Sequence, residues 1–126
     1  MTAAISAQSM RRTKTPNAAM TTIASPSQGP ASELSVWKVA MRAGQQGPCH
    51  VFDRELVWHV VSGEADFTLG SQTHRLQAGD AIVLPAGAQR QVTALTATEI
   101  IACGPAAASA WAAGAEETAA TPPWVC

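Results

Sequence analysis

The stretch Gly79-Asp-Ala-Ile-Val-Leu-Pro85-Ala-Gly87-Ala-Gln-Arg90 decides the fold. It is a tight turn at Ala78-Gly79-Asp80, a four-residue apolar strand from Ala81 to Leu84, and a second turn at Pro85-Ala86-Gly87. A proline with fixed φ beside a permissive glycine ends one strand and redirects the next. The same texture extends outward. Leu34–Met41, Leu56–Val61, Ala65–Leu69, Thr73–Leu76, Arg90–Ala94 and Glu99–Cys103 are short apolar or alternating runs separated by glycine, proline and serine. With Ala81–Leu84 that makes about seven strands, spaced at about 8–12 residues, with no helical period between them. The pattern predicts an all-β sandwich or barrel.

Composition and charge divide the remaining chain. Residues 1–32 carry Arg11, Arg12 and Lys14 with no acid and nothing aromatic, so a disordered leader is expected there. Residues 33–104 hold the strands and form the expected single domain. Residues 105–126 form a tail whose alanines suit a short helix until Pro122-Pro123. Trp111 and Trp124 are too large to leave in water, so the tail is expected to dock on the barrel or on a partner subunit.

A net charge of −1 from eight basic and nine acidic residues argues against binding nucleic acid or an acidic membrane through bulk charge. No apolar run reaches the ~18–20 residues that span a bilayer. Three cysteines, at spacings that match no zinc finger, fit a reducing cytoplasm better than a disulfide scaffold.

From Gly44 to Val92 the chain resembles the cupins, small double-stranded β-helix barrels of the jelly-roll type. Their second motif, G-x5-P-x-G-x2-H, is matched without a gap by Gly79, Pro85, Gly87 and Arg90. Their first, H-x-H-x3-E-x6-G, is matched in register by His50, Phe52, Leu56 and Gly63. In cupins that bind a metal, the histidines and glutamate of these motifs converge inside the barrel. Here only His50 remains, with Phe52, Leu56 and Arg90 at the other three positions. Phenylalanine and leucine coordinate nothing, and a guanidinium has no lone pair to give. The resemblance therefore implies a cupin without the ordinary metal site and no cofactor. A divalent transition metal would need a rebuilt set drawn from Cys49, His50 and Glu55, with Asp53 nearby. Adjacent residues on an extended segment point to opposite faces, against convergence of Cys49 and His50.

Arg90 carries most of the functional argument. A guanidinium entering a barrel must be paired. Two readings stand open: an internal salt bridge to Glu55, Asp53 or Asp80, or a clamp for an anionic ligand. His50 is either a packed histidine at the barrel mouth or a general acid–base group. Together they suit proton transfer beside a carbonyl, the imidazole taking the proton and the guanidinium stabilising the enolate. Some cupins, the sugar 3,5-epimerases among them, work without a metal in that style. Phe52, Leu56, Trp58 and Glu55 are the expected substrate contacts. His59 is expected on the outer side of its sheet, and His74, by parity with Leu76, at the edge of the core. The leading expectation is an isomerase or cyclase acting on one small, partly apolar, anionic molecule. The alternatives are a metal-dependent dioxygenase with an unusual ligand set and a non-catalytic ligand-binding or sensing module. A homodimer through an edge strand is expected.

Overall fold

The computed structural model describes residues 3–126, and its two antiparallel sheets pack face to face. The strands are β1 (Arg11–Lys14), β2 (Ala19–Ala24), β3 (Leu34–Met41), β4 (His50–Phe52), β5 (Leu56–Ser62), β6 (Glu64–Leu69), β7 (Gln72–Gln77), β8 (Ala81–Leu84), β9 (Gln89–Ala94), β10 (Thr98–Pro105) and β11 (Ala110–Ala112). One sheet has the order β1-β2-β3-β10-β5-β8, the other β11-β4-β9-β6-β7. This is an all-β sandwich, as the strand spacing predicts, in the jelly-roll form that the cupin resemblance implies. The seven runs read in the sequence coincide with β3 and β5 to β10 to within two residues at each end.

Alternation along the strands places the core between the sheets. Trp37, Val39 and Met41 on β3, Trp58 and Val60 on β5, and Ile100 and Ala102 on β10 face inward. Phe67 on β6 meets the edge of Trp58 across the gap, ring centroids 6.0 Å apart. Gly63, at φ 85°, makes the turn from β5 to β6. A Cβ at this position would run into the Ala97 carbonyl, so the turn tolerates no side chain.

The N-terminal segment corrects the expectation of a disordered leader. Residues 1 and 2 lie outside the described residues, but β1 and β2 form a hairpin that extends the first sheet alongside β3. The physical reason is that Met20 and Thr22 face inward and are buried, and the C-terminal tail satisfies the polar atoms they bring. Thr22 Oγ1 donates to the Trp124 carbonyl, Arg11 to the Pro123 carbonyl, Ser25 Oγ to the Cys126 carbonyl and Ser35 Oγ to the Val125 carbonyl. The tail forms no α-helix. It supplies β11, which pairs with β4, and it buries Val125 completely against the barrel. Each terminal segment orders the other, which neither does on composition alone.

Candidate functional site

His50 on β4 and Arg90 on β9 are directly opposite one another in the ladder. That register, not a loop, brings them together. Phe52, two residues along β4, shares the face of His50, and Trp58 approaches from β5 on the other sheet. The guanidinium carbon of Arg90 lies 4.4 Å from the Phe52 ring centroid and 4.8 Å from that of Trp58, both within cation–π range. Arg90 Nη2 is 3.2 Å from His50 Nε2. His50 Nδ1 is 2.8 Å from the Pro48 carbonyl, which only accepts, so Nδ1 carries the hydrogen. Nε2 therefore offers its lone pair to the guanidinium. The imidazole tautomer is set by this relay.

Both groups titrate well below their ordinary ranges. Burial, then the charge of Arg90, brings His50 down to about 4, partly opposed by its bond to the Pro48 carbonyl. Burial alone brings Arg90 down to about 9. At neutral pH the site is a neutral imidazole facing a guanidinium cation.

Arg90 is 7% exposed, and no carboxylate answers it. Among the described residues the ion pairs are Lys38–Glu99 and Arg75–Asp66, both elsewhere. The reading of an internal salt bridge is thus corrected. Asp53 turns away to accept the Ser109 backbone N–H at 2.8 Å, Asp80 accepts that of Gln77 at 2.9 Å, and Glu55 is exposed on the turn before β5. The Arg90 Nε, Trp37 Nε1 and Trp58 Nε1 are buried without a partner. All three atoms are donors.

Two voids adjoin this group. One of about 10 Å³, enough for about one water, is lined by Arg90, His50, Trp58, Phe67 and Val92, among others. The second, about 130 Å³, shares His50, Trp58 and Val92 in its wall and adds Trp37, Met20 and Trp124. A larger groove of about 530 Å³ near Lys14, Arg42 and Glu99 shares Thr15, Ala18 and Met41 with the second void and is lined by none of the three residues that carry the unpartnered donors.

Of the residues expected at the site, the fold brings together His50, Arg90, Phe52 and Trp58. Leu56 is 1% exposed but lines neither void; it belongs to the core beside Gly104. Glu55 and Cys49 face solvent, so they are not joined with His50 as a rebuilt ligand set. Among the described residues no three His, Cys, Asp or Glu side chains gather closely enough to share a metal ion. The donor chemistry at the motif positions does not fit a divalent cation either, because Arg90 points its charge at the one imidazole available. His59 is exposed on β5. His74 is exposed as well, contrary to the core-edge reading, because β7 is the last strand of its sheet. Sequence reasoning missed Met20, Asn17 and Trp124 as cavity wall, since the segments that carry them show no strand period.

The Cupin domain family matches residues 37–102. The chain is a cupin. Comparison with curated proteins finds no match. Among solved structures, this cupin is similar to an RmlC-like cupin from Shewanella frigidimarina, with a TM-score of 0.70, 19% identity, and 80% of this chain and 88% of that one covered. KdgF from Halomonas sp. superposes with a TM-score of 0.69 at 21% identity, covering 80% of this chain and 90% of that one. Salicylate 1,2-dioxygenase from Pseudoaminobacter salicylatoxidans gives 0.73 at 19% identity over 82% of this chain, which spans 31% of the dioxygenase. Likeness at these identities establishes the shared fold. No helix among the described residues is long and apolar enough to cross a membrane.

Proposed function

We propose that this cupin binds one small, partly apolar organic anion on Arg90 and moves a proton on it with His50, without a metal, as an isomerase or cyclase does. The observation that carries the reading is the 7% exposed guanidinium with no carboxylate partner among the described residues. A buried cation at neutral pH has an unmet demand for negative charge, and an incoming carboxylate or enolate supplies it.

Arrival of the anion also changes His50. When the ligand takes the Nη2 donor, Nε2 regains its lone pair, and the Arg90 charge that, second to burial, lowers the imidazole is neutralised. The neutral imidazole then takes a proton from the carbon beside the carbonyl, whose C–H electron pair becomes the enolate. Arg90 stabilises that enolate, and return of the proton to the other face or to a neighbouring carbon completes the isomerisation. The test uses 2-oxo-4-methylpentanoate in deuterated buffer, with exchange at the adjacent carbon followed by NMR. Protein-dependent exchange that disappears in His50→Ala supports the reading; exchange at the buffer rate rejects it.

A second reading is favoured by one observation. The Nε2 lone pair is already engaged and the imidazole sits near 4, which suits a binding module with no chemistry. In that case carboxylates bind and no exchange occurs. We assign the working form to a homodimer, in which β8, the edge of its sheet, with Val83 exposed beside Val57, meets a second copy. Three free cysteines fit a reducing cytoplasm.

A further inference from the structure

The cavity beside His50 says more about the ligand than its charge, and the argument rests on the anion reading of Arg90. The two voids differ in character. The smaller, about 10 Å³ and lined by Arg90, has room for about one oxygen atom. The larger, about 130 Å³, is walled by the indoles of Trp37, Trp58 and Trp124 with Met20 and Ala18. An apolar cavity of about 150 Å³ is known to hold benzene. The two share His50, Trp58 and Val92, so they are neighbours, and a molecule reaching past these side chains from the larger void would set its end group beside Arg90. The unpartnered donors on Trp37, Trp58 and Arg90 all belong to residues lining one void or the other, and none of them can accept a hydrogen bond from a ligand.

We infer that the ligand is a monocarboxylate with a compact apolar body about the size of one six-membered ring, its oxygen at Arg90 and its body against Ala18, Met20 and Trp124. Those three residues lie outside the segment matched by the cupin family, residues 37–102. Size selection is therefore shared: the terminal segments supply one side of the wall, and the barrel supplies the other through Trp37, Val39, Met41 and Trp58. The Thr15–Ala18 turn, closed by a hydrogen bond from the Thr15 backbone to the Ala18 carbonyl at 2.9 Å, contributes Thr15, Asn17 and Ala18 to the wall. Trp124 is held there by the bond from Thr22 Oγ1 to its carbonyl, 2.9 Å.

The experiment is calorimetric titration of the full chain with formate, benzoate and benzyl alcohol. Benzoate is expected to bind at least about tenfold more tightly than formate, because its ring leaves water for the cavity. It is also expected to exceed benzyl alcohol, which lacks the charge, by at least about tenfold. Ala18→Leu fills the cavity and should bring benzoate down to the affinity of formate while leaving formate unchanged. Trp124→Ala opens the wall and should admit 1-naphthoate, which the native chain rejects. Equal affinity for formate and benzoate overturns the cavity inference and leaves the Arg90 reading standing. Failure of both anions to bind, or benzyl alcohol matching benzoate, overturns the Arg90 reading and the inference with it.

Discussion

Replacing Arg90 by methionine separates a structural cation from one kept for a ligand. Each tenfold change in acidity is worth about 1.4 kcal/mol. A buried guanidinium brought down from 12.5 to about 9 thus costs the folded chain on the order of 5 kcal/mol at neutral pH. Against this stand two cation–π contacts, worth about 1–2 kcal/mol each when desolvated, and one hydrogen bond to His50, worth about 1.5–3 kcal/mol as a charged donor. The terms nearly cancel. Methionine keeps the apolar stem between Phe52 and Trp58 and removes the desolvation cost, but it leaves the His50 Nε2 without a donor. Arg90→Met should therefore change stability by no more than about 1 kcal/mol in the losing direction, with a gain of up to about 2 kcal/mol open to it. Urea denaturation followed by tryptophan fluorescence measures this, as a midpoint shift at constant slope. At roughly 4 °C per kcal/mol, Tm should stay within a few degrees of the native value or rise. A loss of 3 kcal/mol or more would refute the reasoning, because that is the signature of breaking a satisfied buried pair.

Three further outcomes follow from the same geometry. His50 titrates in the folded chain at about 4, below the usual imidazole value of about 6.5, so between those pH values the unfolded chain binds the extra proton. Stability should be fully present above about pH 6.5 and fall by up to about 3 kcal/mol as pH drops to 4, a loss that urea titrations should find absent in His50→Gln. Gly63→Ala should cost at least about 3 kcal/mol, since both positive φ and the Ala97 carbonyl oppose it. Gly70→Ala, at φ 61° with nothing within 4 Å of its Cβ, should cost about 1 kcal/mol by the same thermal assay. Val83→Lys on the β8 edge should convert the proposed dimer to monomer in light scattering, and a native chain that is already monomeric would contradict the proposal.

The barrel was legible because its punctuation is chemical. Gly63, Gly79, Pro85 and Gly87 occur where strands must turn, and between them apolar residues alternate as a sheet requires. The terminal segments were not legible. In Ala19–Ala24 the inward positions are taken by Met20 and Thr22, and a buried threonine gives no hydrophobic signal; its hydroxyl is satisfied by a carbonyl some hundred residues away, at Trp124. The pair at the site was legible through the cupin resemblance, since His50 and Arg90 stand at positions whose side chains converge in that family; the ladder pairing that joins them was not. Nor was the absence of a counter-ion. Asp53 and Asp80 lie close in sequence to the site, but each serves a backbone N–H, and nothing in the sequence fixes which way a short acidic side chain turns. Glu55 is adjacent to Leu56 and points the other way, as neighbours on an extended chain do.

The most direct observation of the central claim is the NMR signal of the Arg90 Nε–H in the full chain, labelled with nitrogen-15, during titration with benzoate at neutral pH. That atom is buried and has no protein acceptor. A saturable downfield shift of this one guanidinium signal, missing from Arg90→Met, is the result expected of a carboxylate seated on it. A signal that stays fixed while the exposed arginines respond alike would mean that Arg90 serves the barrel's packing and meets no ligand.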